Sequence, residues 1–214
     1  MDLVSLHHQE QKLIARNVVD QLGPVWNILN PHELVRDTSQ WLKMVRPIVE
    51  RGFLASQYVA AEFVKNYRST QLASAKPLDL GEPNPLGPFG MHKKAERDTS
   101  LRIMVSMKVT GPGWVIGRSF EGMTPDDTSD LMKRGFSKST GAATRIVLNG
   151  GRGMVLDLVR SDVLARGVTS VADPTACNGC LFLTNPIMKS DGKKKMNAVA
   201  VGHDFCNCST IPIY

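Results

Sequence analysis

The chain has 214 residues, 42% of them hydrophobic and 21% charged, which is the composition of a globular protein with room for one large domain or two small ones. It contains no apolar run of roughly eighteen residues, so no membrane-spanning helix is expected. The formal net charge of +6 invites a nucleic-acid reading, but Lys93-Lys94 and Lys193-Lys194-Lys195 are its local runs, and a solvated basic loop accounts for each.

The opening MDLVSLHHQEQ lacks a basic stretch followed by an apolar block, so it does not read as a secretory signal. A reducing surrounding for the thiols is the corresponding expectation. Residues 3 to about 22 read as a helix, with Ile14, Val18 and Leu22 on one face and Leu3, Leu13 and Val19 flanking it. Gly23-Pro24 should end that helix. His7-His8 should face solvent or cap, because a metal-binding helix spaces its histidines by a turn. Asn30-Pro31-His32-Glu33 carries a helix start, with Asn30 as cap, Pro31 in the first turn and Glu33 at the capping-box position. Trp41, Met44, Val45 and Ile48 follow at helical spacing, and Pro47 should kink or restart the helix. Beyond it, Leu54, Tyr58, Ala61 and Lys65 trace one stripe, with Phe53, Val64 and Tyr67 at its edges. A helical hairpin or three-helix unit results.

From Ala73 to Met91 the texture changes to Pro77, Pro83, Pro85 and Pro88 interleaved with Gly81, Gly87 and Gly90, which predicts a linker or surface arm. Leu101, Ile103, Val105, Met107 and Val109 then alternate with Arg102, Met104, Ser106, Lys108 and Thr110. This predicts a half-buried strand closed by the turn Thr110-Gly111-Pro112-Gly113. Thr124-Pro125-Asp126-Asp127 opens a helix to about Arg134, and Ser139 or Thr140 caps another with Ala143, Ile146 and Val147 inward. Gly150, Gly151 and Gly153 cost that helix roughly 1 kcal/mol each relative to alanine. Either it breaks there, or small residues are needed for close packing. Leu156, Val159 and Leu164 continue the apolar face.

The fold expected is mainly α (α+β). Residues 1–72 form a helical N-terminal domain, 73–92 a Pro/Gly-rich linker or arm, and 93–214 a C-terminal α+β domain closed by a Cys/His knot at 177–208. All four cysteines of the chain lie in that knot. Cys177-Asn178-Gly179-Cys180 is a C-x-x-C on a tight turn, and His203, Cys206 and Cys208 follow as H-x-x-C-x-C. Two thiolates separated by two residues can face one cation, and thiolate-rich tetrahedral coordination suits Zn²⁺. One ligand set is Cys177, Cys180, Cys206 and Cys208; the competing set replaces one of the last pair with His203. Disulfides joining 177 or 180 to 206 or 208 are the other reading. With four cysteines available the site looks closed, hence structural rather than catalytic.

Other chemistry is thinly marked. Gly150-Gly151-Arg152-Gly153 lacks the Lys-Ser/Thr ending and the preceding strand of a phosphate loop. There is no G-x-S-x-G elbow. His203 could serve a serine such as Ser137 or Ser161, which spacing alone does not establish. Trp26, Trp41 and Trp114 are core or rim residues.

The order of features resembles the MuF-like minor head proteins of tailed phages, the actinobacteriophage group above all, whose members often carry the label capsid maturation protease. The features are Trp26 and Trp41 in a helical first part, Thr110-Gly111-Pro112, Gly150-Gly151-Arg152, Asp162 and Arg166, the C-x-x-C, and His203-Asp204-Phe205-Cys206-Asn207-Cys208 with Pro212. The resemblance touches most of the chain; its specific part is the cysteine-rich end. It implies a virion protein in multiple copies that accompanies the portal or the major capsid protein into the head, assembles in the host cytoplasm, and tolerates packaged DNA by non-specific contact. No membrane partner is implied. The metal-site positions carry over as 177, 180, 203, 206 and 208, and the lysine-rich insert at 192–195 departs from the smoother stretch expected there. No nucleophile–base pair can be assigned by motif, so the protease label does not carry over with them. A head maturation protease and a zinc-ribbon nucleic-acid binder are the alternative functions.

Overall fold

Helices dominate because long stretches of this chain can bury one stripe and solvate the other. The computed structural model describes residues 2–73, 93–119, 121–171, 187–188 and 208–214. In chain order the elements are α1 (Leu3–Trp26), α2 (Leu34–Gln71), α3 (Lys93–Thr110), α4 (Pro112–Ile116), α5 (Pro125–Ser161), β1 (Gly167–Val171), β2 (Ile187–Met188) and β3 (Ser209–Ile213). The mainly helical character expected from the sequence is therefore observed.

The Asp2 carboxylate caps α1 by accepting from the Ser5 N–H at 2.7 Å. Its inward stripe is His7, Gln11, Ala15, Val18, Leu22 and Val25, while Leu13 stays 58% exposed. The stripe thus begins on polar residues, which periodicity of apolar residues does not detect. His7 is buried rather than solvent-facing, stacked on Phe63 with ring centroids 4.2 Å apart and planes 8° from parallel. Gly23-Pro24 does not end the helix, which continues to Trp26 because Val25 and Trp26 are held in the core.

Asn30 makes a corner rather than a helix cap. Its side-chain oxygen accepts from the His32 N–H and its own N–H donates to Asp37, each at 3.0 Å, and α2 begins at Leu34. The helix does not restart at Pro47, which lies on the exposed face where water can reach the carbonyl it leaves unpaired. Its second half buries Gly52, Ser56, Gln57, Ala60, Ala61, Phe63, Val64 and Arg68, whereas Tyr58 is 41% exposed and Lys65 lies outside. The expected stripe is rotated because the contact face is built of small residues that admit α5 closely.

The alternation at 101–109 does not make a strand. It lies in helix α3, where Ile103 and Met107, one turn apart, are buried while Leu101, Val105 and Val109 are exposed. Apolar residues at every second position also supply an i, i+4 pair, and packing of that pair against α2 and α5 overrides β-propensity. The turn at Thr110-Gly111-Pro112 is present and leads into α4.

The helix start expected at Thr124 is present and takes the form of a capping box, with Thr124 Oγ1 accepting from the Asp127 N–H at 3.1 Å. From there α5 runs unbroken for 37 residues. Ser139 and Thr140 are buried inside it and cap nothing; the Thr140 hydroxyl donates to the Ser137 carbonyl at 2.9 Å. The glycines serve close packing. A Cβ on Gly150 would stand 2.7 Å from the Phe53 carbonyl oxygen, and one on Gly151 2.7 Å from Ser56 Oγ.

One buried cluster joins residues of α1, α2, α3, α4 and α5 around Trp41, Val45 and Val147; a second joins α2, α5, Ala165 and Val168 around Val64, Val155 and Val159. The helices on either side of residues 73–92 therefore share a core. Leu164, placed on the continuing apolar face by the sequence, is 46% exposed because the chain has left α5. The strands form an antiparallel sheet in the order β2-β1-β3, with Gly167 opposite both Met188 and Ile213. Among the described residues no helix is long and apolar enough to cross a membrane.

Buried His7 predicts an acid response. Burial, and then the neighbouring His8, lower its imidazole from 6.5 to about 4, and its Nδ1 has no hydrogen-bond partner among the described residues. Above pH 6.5 the ring is neutral in the folded and unfolded chain alike. Between 6.5 and about 4 the unfolded chain takes up a proton that the folded chain refuses, so folding stability falls by about 3 kcal/mol across that window. Urea unfolding at pH 7 and pH 4 should show this loss, and His7→Phe should remove most of it. An identical pH dependence in the variant would contradict the assignment.

Candidate functional site

The cysteine-rich end meets the helices where α5 passes β3. Cys208 is 9% exposed and directly precedes that strand. Its backbone carbonyl accepts two hydrogen bonds from the Arg152 guanidinium, from Nε at 3.0 Å and Nη2 at 2.7 Å. Nη1 donates to Asn149 Oδ1 at 2.7 Å, one turn back on α5. Arg152 is itself 5% exposed, and such a buried cation requires acceptors on every side of its fork. An arginine beside the buried stripe of Met154 and Val155 is the sequence signal for it.

Gly151 lets Arg152 reach this position. Its N–H donates to Ser56 Oγ at 2.9 Å; that hydroxyl donates to Gln11 Oε1 at 2.5 Å, and Gln11 Nε2 donates to the Ser56 carbonyl at 2.9 Å. The three-helix polar junction of Gln11, Ser56 and Gly151 is buried and mutually satisfied, which fixes the register of α1, α2 and α5. From the other side, His8 Nδ1 lies 2.9 Å from Ser209 Oγ and ties α1 to β3.

A second buried charge closes the far end of α5. Arg68 Nε donates to Asp162 Oδ2 at 2.7 Å, with both side chains under a tenth exposed, and Asp162 Oδ1 accepts from the Leu164 N–H at 3.0 Å. Tyr214 packs nearby, its centroid 6.4 Å from that of Tyr67. Burial, then the Asp162 carboxylate, holds its phenol above the ordinary value. Arg166, the other member of the Asp-then-Arg stretch, enters the sheet by donating its N–H to the Ile213 carbonyl at 2.7 Å.

Of the five predicted metal-site residues, Cys208 is described; Cys177, Cys180, His203 and Cys206 lie outside the described residues. Among the described residues, no three His, Cys, Asp or Glu side chains converge to hold a metal ion. The pairing of His203 with Ser137 or Ser161 falls on a histidine outside the described residues. The Ser161 hydroxyl donates to the Leu158 carbonyl at 2.9 Å, and Ser137 offers its carbonyl to Thr140. The His–Ser pair that the structure does bring together, His8 with Ser209, joins residues 201 apart, and Ser209 is 4% exposed within a paired strand. That is a tether. Trp26 and Trp41 are core residues in an edge-on pair at 5.7 Å, and Trp114 lies at the rim with Arg118 over its ring at 4.4 Å.

The geometry makes Arg152 the pin for the C-terminal strand. Arg152→Met should leave α1, α2 and α5 in place while amide hydrogens of Ser209–Ile213 exchange faster. Unchanged protection in β3 would show that the ladder with β1 suffices without the pin.

No family model matches the chain, and neither a curated protein nor a solved structure matches it.

Proposed function

We propose that this chain is a MuF-like minor head protein of a tailed phage, a structural component held beside the portal or the major capsid protein in the head interior. The observation that carries the reading is the contact of Arg152 with the Cys208 carbonyl. Two marks of the resemblance, the Gly-Gly-Arg element and the terminal cysteine segment, lie 56 residues apart and meet in one buried junction. In this reading Gly150 and Gly151 bring α5 against α2, Arg152 anchors the end of the cysteine segment, and that segment acts as a staple. Four ligands from Cys177, Cys180, Cys206, Cys208 and His203 hold a structural zinc ion. Several copies bind their partner in the particle, and the positive net charge tolerates packaged DNA without reading its sequence.

The test is the composition of mature particles and of a co-expression with capsid and scaffold proteins. The expected result is the intact chain at a fixed copy number, with capsid of unchanged length. Shortened capsid or scaffold that disappears in a single Ser→Ala variant would replace this reading with the protease. Purified protein should carry about one zinc per chain, as a closed four-ligand site requires. Chelation should expose β3 to exchange before the helices. A metal-free chain with β3 fully protected would remove zinc from the proposal.

A further inference from the structure

The first turns of α1 and the second half of α2 flank an open cleft of about 320 Å³. Leu3, Tyr58 and Phe63 give it apolar and aromatic walls, and Glu10 and Glu62 bring one carboxylate from each helix. Among the described residues that line it there is no Lys or Arg. His7 lines it too, 3% exposed, and its ring Nδ1 has no hydrogen-bond partner among the described residues.

The neighbouring cations do not neutralise this site. Glu10 is exposed and makes no ion pair among the described residues. Glu62 meets Lys65 only at 3.9 Å, with side chains 63% and 48% exposed, a pairing that solvent screens. Lys12 follows Glu10 by two positions and so leaves α1 on another side. Arg51, two turns before Tyr58, donates to the Pro47 carbonyl at 3.1 Å, and His8 turns to Ser209.

Two exposed carboxylates alone would be a solvated rim. The imidazole is a separate sign, because a buried polar atom is ordinarily paired. Burial keeps it neutral at pH 7, so it offers an acceptor nitrogen without repelling a cation. Its place is fixed by the stack on Phe63, which packs in turn on Tyr67 with centroids 5.3 Å apart.

We propose that this cleft binds a primary alkylammonium group, its hydrocarbon stem against Leu3 and Phe63 and its N–H donors directed to Glu10, Glu62 and the His7 ring. An anionic ligand would meet two like charges here, and a neutral apolar one would leave the carboxylates and the imidazole unused.

The test is an NMR titration of the whole chain at pH 7 with hexylamine hydrochloride, followed at the imidazole nitrogens of His7, with hexan-1-ol and hexanoate as matched controls. The amine should shift the His7 signals saturably and bind more weakly as salt rises, while the alcohol and the acid should not saturate. Glu10→Gln and Glu62→Gln, both at exposed positions, should each weaken the amine roughly two- to fivefold. Lys65→Ala, which releases Glu62, should tighten it, and a purely structural role for these residues would not produce that gain. A leucine-flanked lysine peptide that binds more tightly than hexylamine assigns the ammonium to a polypeptide side chain; weaker binding assigns it to a free amine. Three results would each overturn the proposal: no saturable shift at His7, equal binding of the amine and the alcohol, or an affinity unchanged in both glutamine variants.

Discussion

Asp162→Ala should lower the unfolding free energy by about 3–5 kcal/mol, the range expected when one partner of a buried ion pair is removed. The loss arises less from the missing attraction than from leaving the Arg68 guanidinium, whose side chain is 8% exposed, without its buried carboxylate. The same carboxylate accepts from the Leu164 N–H where α5 gives way to β1, so its removal also unties that corner. Replacing both partners with apolar residues, Arg68→Met with Asp162→Leu, should recover much of the loss because no charge is then left buried. Chemical denaturation of the two single variants and the double variant gives the cycle. Additive losses in the double variant would mean that the pair does not act as a unit.

Gly150→Val should cost about 3 kcal/mol, at the upper end of ordinary overpacking. The first added atom would stand 2.7 Å from the Phe53 carbonyl oxygen and 2.9 Å from Phe53 Cδ2. The carbonyl belongs to the backbone of α2 and cannot rotate away, so α2 and α5 must separate along their shared face. Gly153 is the internal control. Among the described residues nothing lies within 4 Å of a Cβ added there, so Gly153→Ala should stabilise the chain by up to about 1 kcal/mol through helix propensity alone. Thermal unfolding of the two variants should move in opposite directions. A loss in both would point to backbone distortion of α5 rather than to packing against α2.

Particular residues show where sequence reasoning succeeds. Thr124 with Asp127 is a local device complete within four positions, so the helix start there was legible and is present. The close-packing alternative for Gly150 and Gly151 was legible too, because glycine at consecutive helical positions calls for a partner helix. The strand expected at 101–109 is a helix because a period of two over so short a span contains a helical pair, and the surface that Ile103 and Met107 meet is supplied by distant segments. His7 was placed in solvent because an imidazole has no hydropathic preference strong enough to reveal the Phe63 ring that covers it.

The candidate site divides along the same line. Its chemical types were readable: cysteines clustered near the end, and an arginine beside two glycines in an apolar helix. What Arg152 does was not, since its acceptor is a backbone carbonyl and every residue has one. Arg68 and Asp162, 94 residues apart, gave no local sign of each other.

Residue chemistry by itself determines that this chain is mainly helical, where α5 is capped, and that its thiols gather between 177 and 208. Those properties depend on neighbours a turn or two away. The tertiary structure alone decides that helices before and after residues 73–92 share a core, that the buried charges are paired, and that Arg152 holds Cys208. Such contacts are chosen by the complementarity of whole surfaces, and no single segment carries the pattern of the surface it will meet.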